Sequence, residues 1–152
     1  MSLPHRLWTC PDCGHKFVSR NLSHSCGRFL IAGHFRGKPP NLHRTFRRLV
    51  SLTRTFGPLT VYAQKTRIVF MVRVRFVSVV VRKGSLDFAL WLSRRVDHPR
   101  RARVEVFGPR ILYTHFTLTT PEDIDREMEA LVREAYRTGR PVDRPGLLRR
   151  RA

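Results

Sequence analysis

The sequence predicts an α+β protein: a small N-terminal zinc knuckle, a helix, an antiparallel sheet of about five to six strands, and a C-terminal helix. Three observations carry that expectation. All three cysteines lie within residues 10–26. Apolar residues recur at helical spacing over residues 41–55, and again in a capped segment after Thr120. Between those two segments, short β-branched and aromatic runs alternate with turn residues. The expected division is a zinc-knuckle head over 1–27, a connector over 28–40, an α+β domain over 41–139, and a basic tail over 140–152. The Arg/Pro-rich composition of that tail predicts disorder.

The head reads Trp8-Thr-Cys10-Pro-Asp-Cys13-Gly14-His15, followed by His24-Ser-Cys26-Gly27. Two residues between Cys10 and Cys13 let both sulfurs turn onto one ion, and Gly14 permits the tight backbone this requires. His24 and Cys26 supply a second pair, completing a tetrahedral set of three thiolates and one imidazole for structural Zn2+. Four protein ligands leave no open position for catalytic water. His15, His5 and His34 compete with His24 for the fourth place. A redox Cys-x-x-Cys pair is the competing reading, but it leaves His24 and Cys26 unused and lacks a βαβ context.

In the connector, Gly33, Gly37 and Pro39-Pro40 break regular structure. A helix then fits residues 41–55, where Leu42, Phe46, Leu49, Val50 and Thr53 form one stripe and Arg44, Arg47, Arg48 and Arg54 lie mostly off it. Gly57-Pro58 closes it. Four strands follow as a meander: Leu59–Ala63, Thr66–Val72, Phe76–Arg82 and Leu86–Ser93. In the fourth, Leu86, Phe88, Leu90 and Leu92 face one way and Asp87, Ala89, Trp91 and Ser93 the other. A basic loop, Arg94 to Arg103, leads to strands at Arg103–Phe107 and Arg110–Thr119. In the last of these, Leu112, Phe116 and Leu118 oppose Tyr113, His115 and Thr117. The closing helix is expected from Thr120 as N-cap and Pro121 at N1, with Ile124, Met128, Leu131, Val132 and Ala135 as its stripe. Gly139 and Pro141 end it.

The 152 residues are enough for one domain with a real core, so no disulfide framework is needed. The net charge is +19, from 30 Lys+Arg against 11 Asp+Glu, which favours DNA, RNA or an acidic protein as partner. Only four of the basic residues are lysine, a skew that a GC-rich genome also produces. The polar N-terminus does not read as a signal peptide. The Val77–Val81 run is far shorter than the ~20 residues a membrane span needs. With an odd cysteine count, a reducing cytoplasm is the expected location and a membrane is not an expected partner.

Five residues suggest a binding surface. Lys65 and Arg67 are expected to project from the non-core face of their strand, beside Trp91, Tyr113 and His115. Cations beside aromatic rings suit stacked bases or a phosphate-bearing ligand. The competing reading is a solvated or loop-covered face, with Trp91 packed beneath the Arg94–Arg103 loop. His115 has no carboxylate or nucleophile next to it in sequence and reads as structural. No Gly-rich phosphate loop, nucleophile elbow or zinc-protease helix is present, so a non-enzymatic role is expected. Three classes stay open: a nucleic-acid-binding accessory module, a module docking an acidic protein, and a sensor of small anionic ligands.

Several separated blocks occur in one order: W-T-C-P-D-C-G, H-S-C-G, H-F-R-G-K-P-P, G-P-L-T-V, K-T-R-I-V-F, H-F-T-L and E-D-I-D-R-E. In these, from about Trp8 to Tyr136, the chain resembles an uncharacterised bacterial family, the domain of unknown function numbered 5655. The resemblance implies a zinc-knuckle head on a compact helix–sheet–helix domain and no known activity. It adds only a lean toward nucleic acid, because related domains look like accessory modules joined to nuclease-type proteins.

Overall fold

A computed structural model describes residues 7–11, 16–17 and 29–140. Strands β1 (Trp8–Thr9) and β2 (Lys16–Phe17) pair antiparallel. Helix α1 (Ile31–Phe35) is a single turn, followed by α2 (Pro40–Arg54). The sheet comprises β3 (Thr60–Ala63), β4 (Ile68–Met71), β5 (Arg75–Val81), β6 (Leu86–Leu92), β7 (Arg101–Gly108) and β8 (Ile111–Leu118). A 3-10 turn (Pro121–Asp123) then leads into α3 (Arg126–Thr138). The α+β class is as the sequence predicts.

The six strands are antiparallel in the order β3-β4-β5-β6-β8-β7. The chain leaves β6, crosses to the edge as β7, and returns through a tight hairpin so that β8 lies between them. The loop making that crossing is tied down. Its Val96 and His98 are buried, Arg101 donates to the Val96 carbonyl at 2.8 Å, and the Thr117 N–H donates to the Arg100 carbonyl at 3.0 Å.

Period-2 alternation places Ile68, Phe70, Val79, Phe88, Leu90 and Phe116 on one face of the sheet, all buried. Leu42, Phe46 and Leu49 of α2 cover them, together with Met128, Leu131, Val132 and Ala135 of α3. Pro40 sits at the first position of α2, where its missing N–H costs nothing. Tyr136 donates to the Pro58 carbonyl at 2.8 Å, stitching α3 to the end of α2.

Two expectations need correction. The connector is not without regular structure. Its Ile31–Phe35 turn docks on the core because Phe35 packs against Phe46 at 5.2 Å and His43 at 4.7 Å. The closing helix does not start at Thr120. Pro121 opens only a 3-10 turn, the chain bends at Ile124, and Asp125 caps α3 by accepting from the Met128 N–H at 2.9 Å. Asp123 holds that corner. Its carboxylate accepts from the Thr119 and Thr120 N–H groups at 2.7 and 3.1 Å, and Arg100 lies 2.8 Å away. The expected tail over 140–152 falls, apart from Arg140, outside the described residues. Among the described residues no helix is long and apolar enough to cross a membrane.

Candidate functional site

The second face of the sheet is built from the opposite parity of the same strands, and it divides into two halves. At β3 and β4, Tyr62, Val69 and Met71 form a small buried cluster with Cys10, against which Trp8 packs. Trp8 and Cys10, in and just after β1, therefore rest on this half. Of the four expected zinc ligands only Cys10 lies among the described residues, and it is buried. Cys13, His24 and Cys26 lie outside them, as do the alternatives His5 and His15. His34, the remaining alternative, is engaged elsewhere: its Nε2 donates to the Gln64 carbonyl at 2.8 Å.

Across β5, β6, β8 and β7 the face opens into a cleft of about 600 Å³. Four arginines line it (Arg67, Arg75, Arg82 and Arg103) against two carboxylates, Asp87 and Glu105. Tyr113 and Phe107 give it aromatic walls, their rings 5.7 Å apart and edge to face. Burial raises the Tyr113 pKa, while the charges of Arg75 and Arg67 pull it back part of the way. The phenol therefore stays protonated at neutral pH.

His115 sits at the centre of this array. Its Nδ1 lies 2.7 Å from Asp87 Oδ1 on β6, and its Nε2 lies 2.9 Å from Glu105 Oε1 on β7. A neutral imidazole carries one N–H, so both carboxylates receive a hydrogen bond only from the imidazolium. Arg103 Nη2 lies 3.3 Å from Glu105 Oε1 and 3.6 Å from Asp87 Oδ2. It also lies 3.5 Å from His115 Nδ1, too far to displace the 2.7 Å carboxylate contact. Arg82 reaches the same Asp87 oxygen at 3.4 Å. A chain of ionic contacts thus fastens three neighbouring strands on the side away from the core.

The five residues expected to form a binding surface separate. Arg67, Tyr113 and His115 line the cleft; Lys65 and Trp91 do not. Lys65, Thr66 and Arg67 form the turn before β4, closed by the Gln64 N–H donating to the Arg67 carbonyl at 2.7 Å, so strand alternation does not apply to them. Trp91 stacks on Tyr113 with centroids 6.1 Å apart and donates to the Arg110 carbonyl at 3.3 Å. It braces the β7–β8 turn. His115 is not the isolated strand histidine expected from its sequence neighbours, because Asp87 and Glu105 reach it across the ladder. Those carboxylates and Arg75, Arg82 and Arg103 were not anticipated as site residues. The strand parity that placed Asp87 beside Trp91 was the available signal.

The model of one family, described as "Domain of unknown function (DUF5655)", matches residues 31–139. That span is well over half of the chain and places it in this family. It begins at α1 and does not include the cysteine-bearing head. No curated protein matches the chain, and no solved structure does.

Proposed function

We propose that this chain, a member of the DUF5655 family, is a non-enzymatic nucleic-acid-binding accessory protein that takes a single strand across the open face of its sheet. The observation that carries the reading is the cleft itself, where four arginines stand beside Tyr113 and Phe107. Backbone phosphates suit the arginines, and bases stack on an exposed ring such as Phe107 whatever their sequence. The net charge of +19 adds long-range attraction. A duplex is a poor fit, because its bases are already stacked and hidden from the rings.

The head belongs to the same proposal as a structural zinc knuckle on Cys10, Cys13, His24 and Cys26. Supporting it are the antiparallel β1–β2 pairing and the buried position of Cys10 directly after β1. Zinc there would fix Cys10 against Tyr62, Val69 and Met71, bounding one end of the open face.

Fluorescence anisotropy against single-stranded RNA, single-stranded DNA and duplex DNA over a salt series tests the reading. Single strands should bind more tightly than duplex near physiological salt, and Arg67→Ala should weaken them. Equal binding to all three forms that vanishes by about 200 mM salt would reduce the charge to composition. A second reading has its own observation. Val106 and Phe107, on edge strand β7, are 55% and 65% exposed, as a strand docking another protein would be. Affinity for an acidic protein without affinity for single strands would favour it.

A further inference from the structure

Beside the main cleft lies a second cavity of about 240 Å³, lined by Arg82, Ser85, Asp87, Arg103, His115 and Thr117. Four of these residues, Arg82, Asp87, Arg103 and His115, line the main cleft as well, so the two spaces meet along one fence of charged side chains. The two spaces differ in chemistry. The main cleft has the aromatic walls, and the smaller one has two arginines and the hydroxyls of Ser85 and Thr117.

We infer that the open face recognises a phosphomonoester, its phosphate in the smaller cavity and the nucleoside that carries it in the main cleft. The arginines are the first reason. Arg82 and Arg103 converge on a single oxygen of Asp87 at 3.4 and 3.6 Å, against the ~2.7–2.9 Å of a tight charge-assisted bond. Arg103 does little better with Glu105 at 3.3 Å. Among the described residues neither guanidinium makes a closer side-chain contact, and each has five N–H donors to offer.

Asp87 is the second reason. Its other oxygen is held by His115 at 2.7 Å, so the carboxylate is drawn toward the imidazole and competes weakly for the two guanidiniums. Charge is the third. A terminal phosphate carries about −1.5 to −2 at neutral pH and presents three acceptor oxygens. An internal phosphodiester has one charge and two such oxygens. Two arginine forks and two hydroxyls therefore match the monoester better. This inference rests on the single-strand reading and narrows it to strand ends.

The test compares short single strands of one sequence bearing a 5′-phosphate, a 3′-phosphate or hydroxyls at both ends, with free uridine and adenosine monophosphates as competitors. One phosphorylated strand should bind about tenfold or more tightly than the hydroxyl strand, the worth of one or two charged hydrogen bonds. Arg82→Ala should abolish that difference, weakening the phosphorylated strand about tenfold more than the hydroxyl strand. Thr117→Val is the second probe, should Arg82→Ala disturb the fold, and it should shrink the difference. Competition by the free monophosphates at strand-like affinity would make the source a nucleotide, overturning the strand reading while upholding the phosphomonoester. Equal binding of all three strands, unaltered by either variant, would overturn the phosphomonoester and leave single-strand binding intact.

Discussion

The two faces of the sheet come from the same strands and have opposite characters. On the helix side, Ile68, Phe70, Phe88, Leu90 and Phe116 are buried and apolar beneath α2 and α3. One residue along each of β6 and β8, the other side carries Asp87, Tyr113 and His115, and β7 adds Arg103 and Glu105. The first face loses water on folding, at roughly 25 cal/mol per Å² of apolar surface, and supplies the stability. On the second, the His115 contacts at 2.7 and 2.9 Å are short, but the arginine pairs are long, partly exposed and screened and contribute little net stability. Arginines held by such loose pairs are free to be specified by a ligand.

Variants that break this contrast differ in size. The largest effect belongs to the proposed zinc site, whose Cys10 packs on the open face outside the main core. If Cys10, Cys13, His24 and Cys26 hold zinc as proposed, Cys13→Ser should release it and unfold residues 8–27, a loss on the order of 10 kcal/mol for a module of this kind. The α+β domain should still melt cooperatively. Zinc content and near-UV circular dichroism check both statements.

Next comes the core face. Phe88 is fully buried, paired between Val79 and Phe116, and Phe88→Ala should cost about 3–5 kcal/mol in urea unfolding. Asp123, at the corner before α3, is smaller. Burial by itself would raise its pKa, but the hydrogen bonds from Thr119 and Thr120 and the Arg100 charge outweigh burial and lower it. The stability it contributes is therefore present above the ordinary value of 3.8 and is lost as pH falls through the lowered folded value. Asp123→Asn should cost about 1–3 kcal/mol at neutral pH and flatten the acid limb of the stability profile.

The smallest effect on stability is expected on the open face. Arg103→Ala should change it by no more than about 0.5 kcal/mol. The same change should weaken single-strand binding and reduce the salt slope by about one. A large loss of stability with unchanged binding would reverse the roles of the two faces.

Much of the core face was legible in the sequence. Both long helices and the four-strand meander follow from periods of 3.6 and 2, with ends displaced by about one or two residues except at the start of α3. There Thr120-Pro121 is a genuine start signal, but for a 3-10 turn; Asp125 five residues later is the cap that counts. The open face was legible only in part. Tyr113 and His115 follow from strand parity. Their partners depend on register, which parity does not supply. Arg103 faces His115 and Glu105 faces Tyr113 because the β7–β8 hairpin has shifts at both ends, between Arg101 and Arg103 and between Val106 and Gly108. Asp87 reaches His115 because β8, not β7, lies against β6. Neither fact has a local sequence signal.

The most direct test of the two-face account is photo-crosslinking of a 4-thiouridine-containing single strand to the zinc-loaded protein, with the linked peptides identified by mass spectrometry. The account predicts links within Arg101–Gly108 and Ile111–Leu118, centred on Phe107 and Tyr113 and lost with Arg67→Ala. Links confined to the arginines of α2 or to residues 141–152, unchanged in that variant, would contradict it.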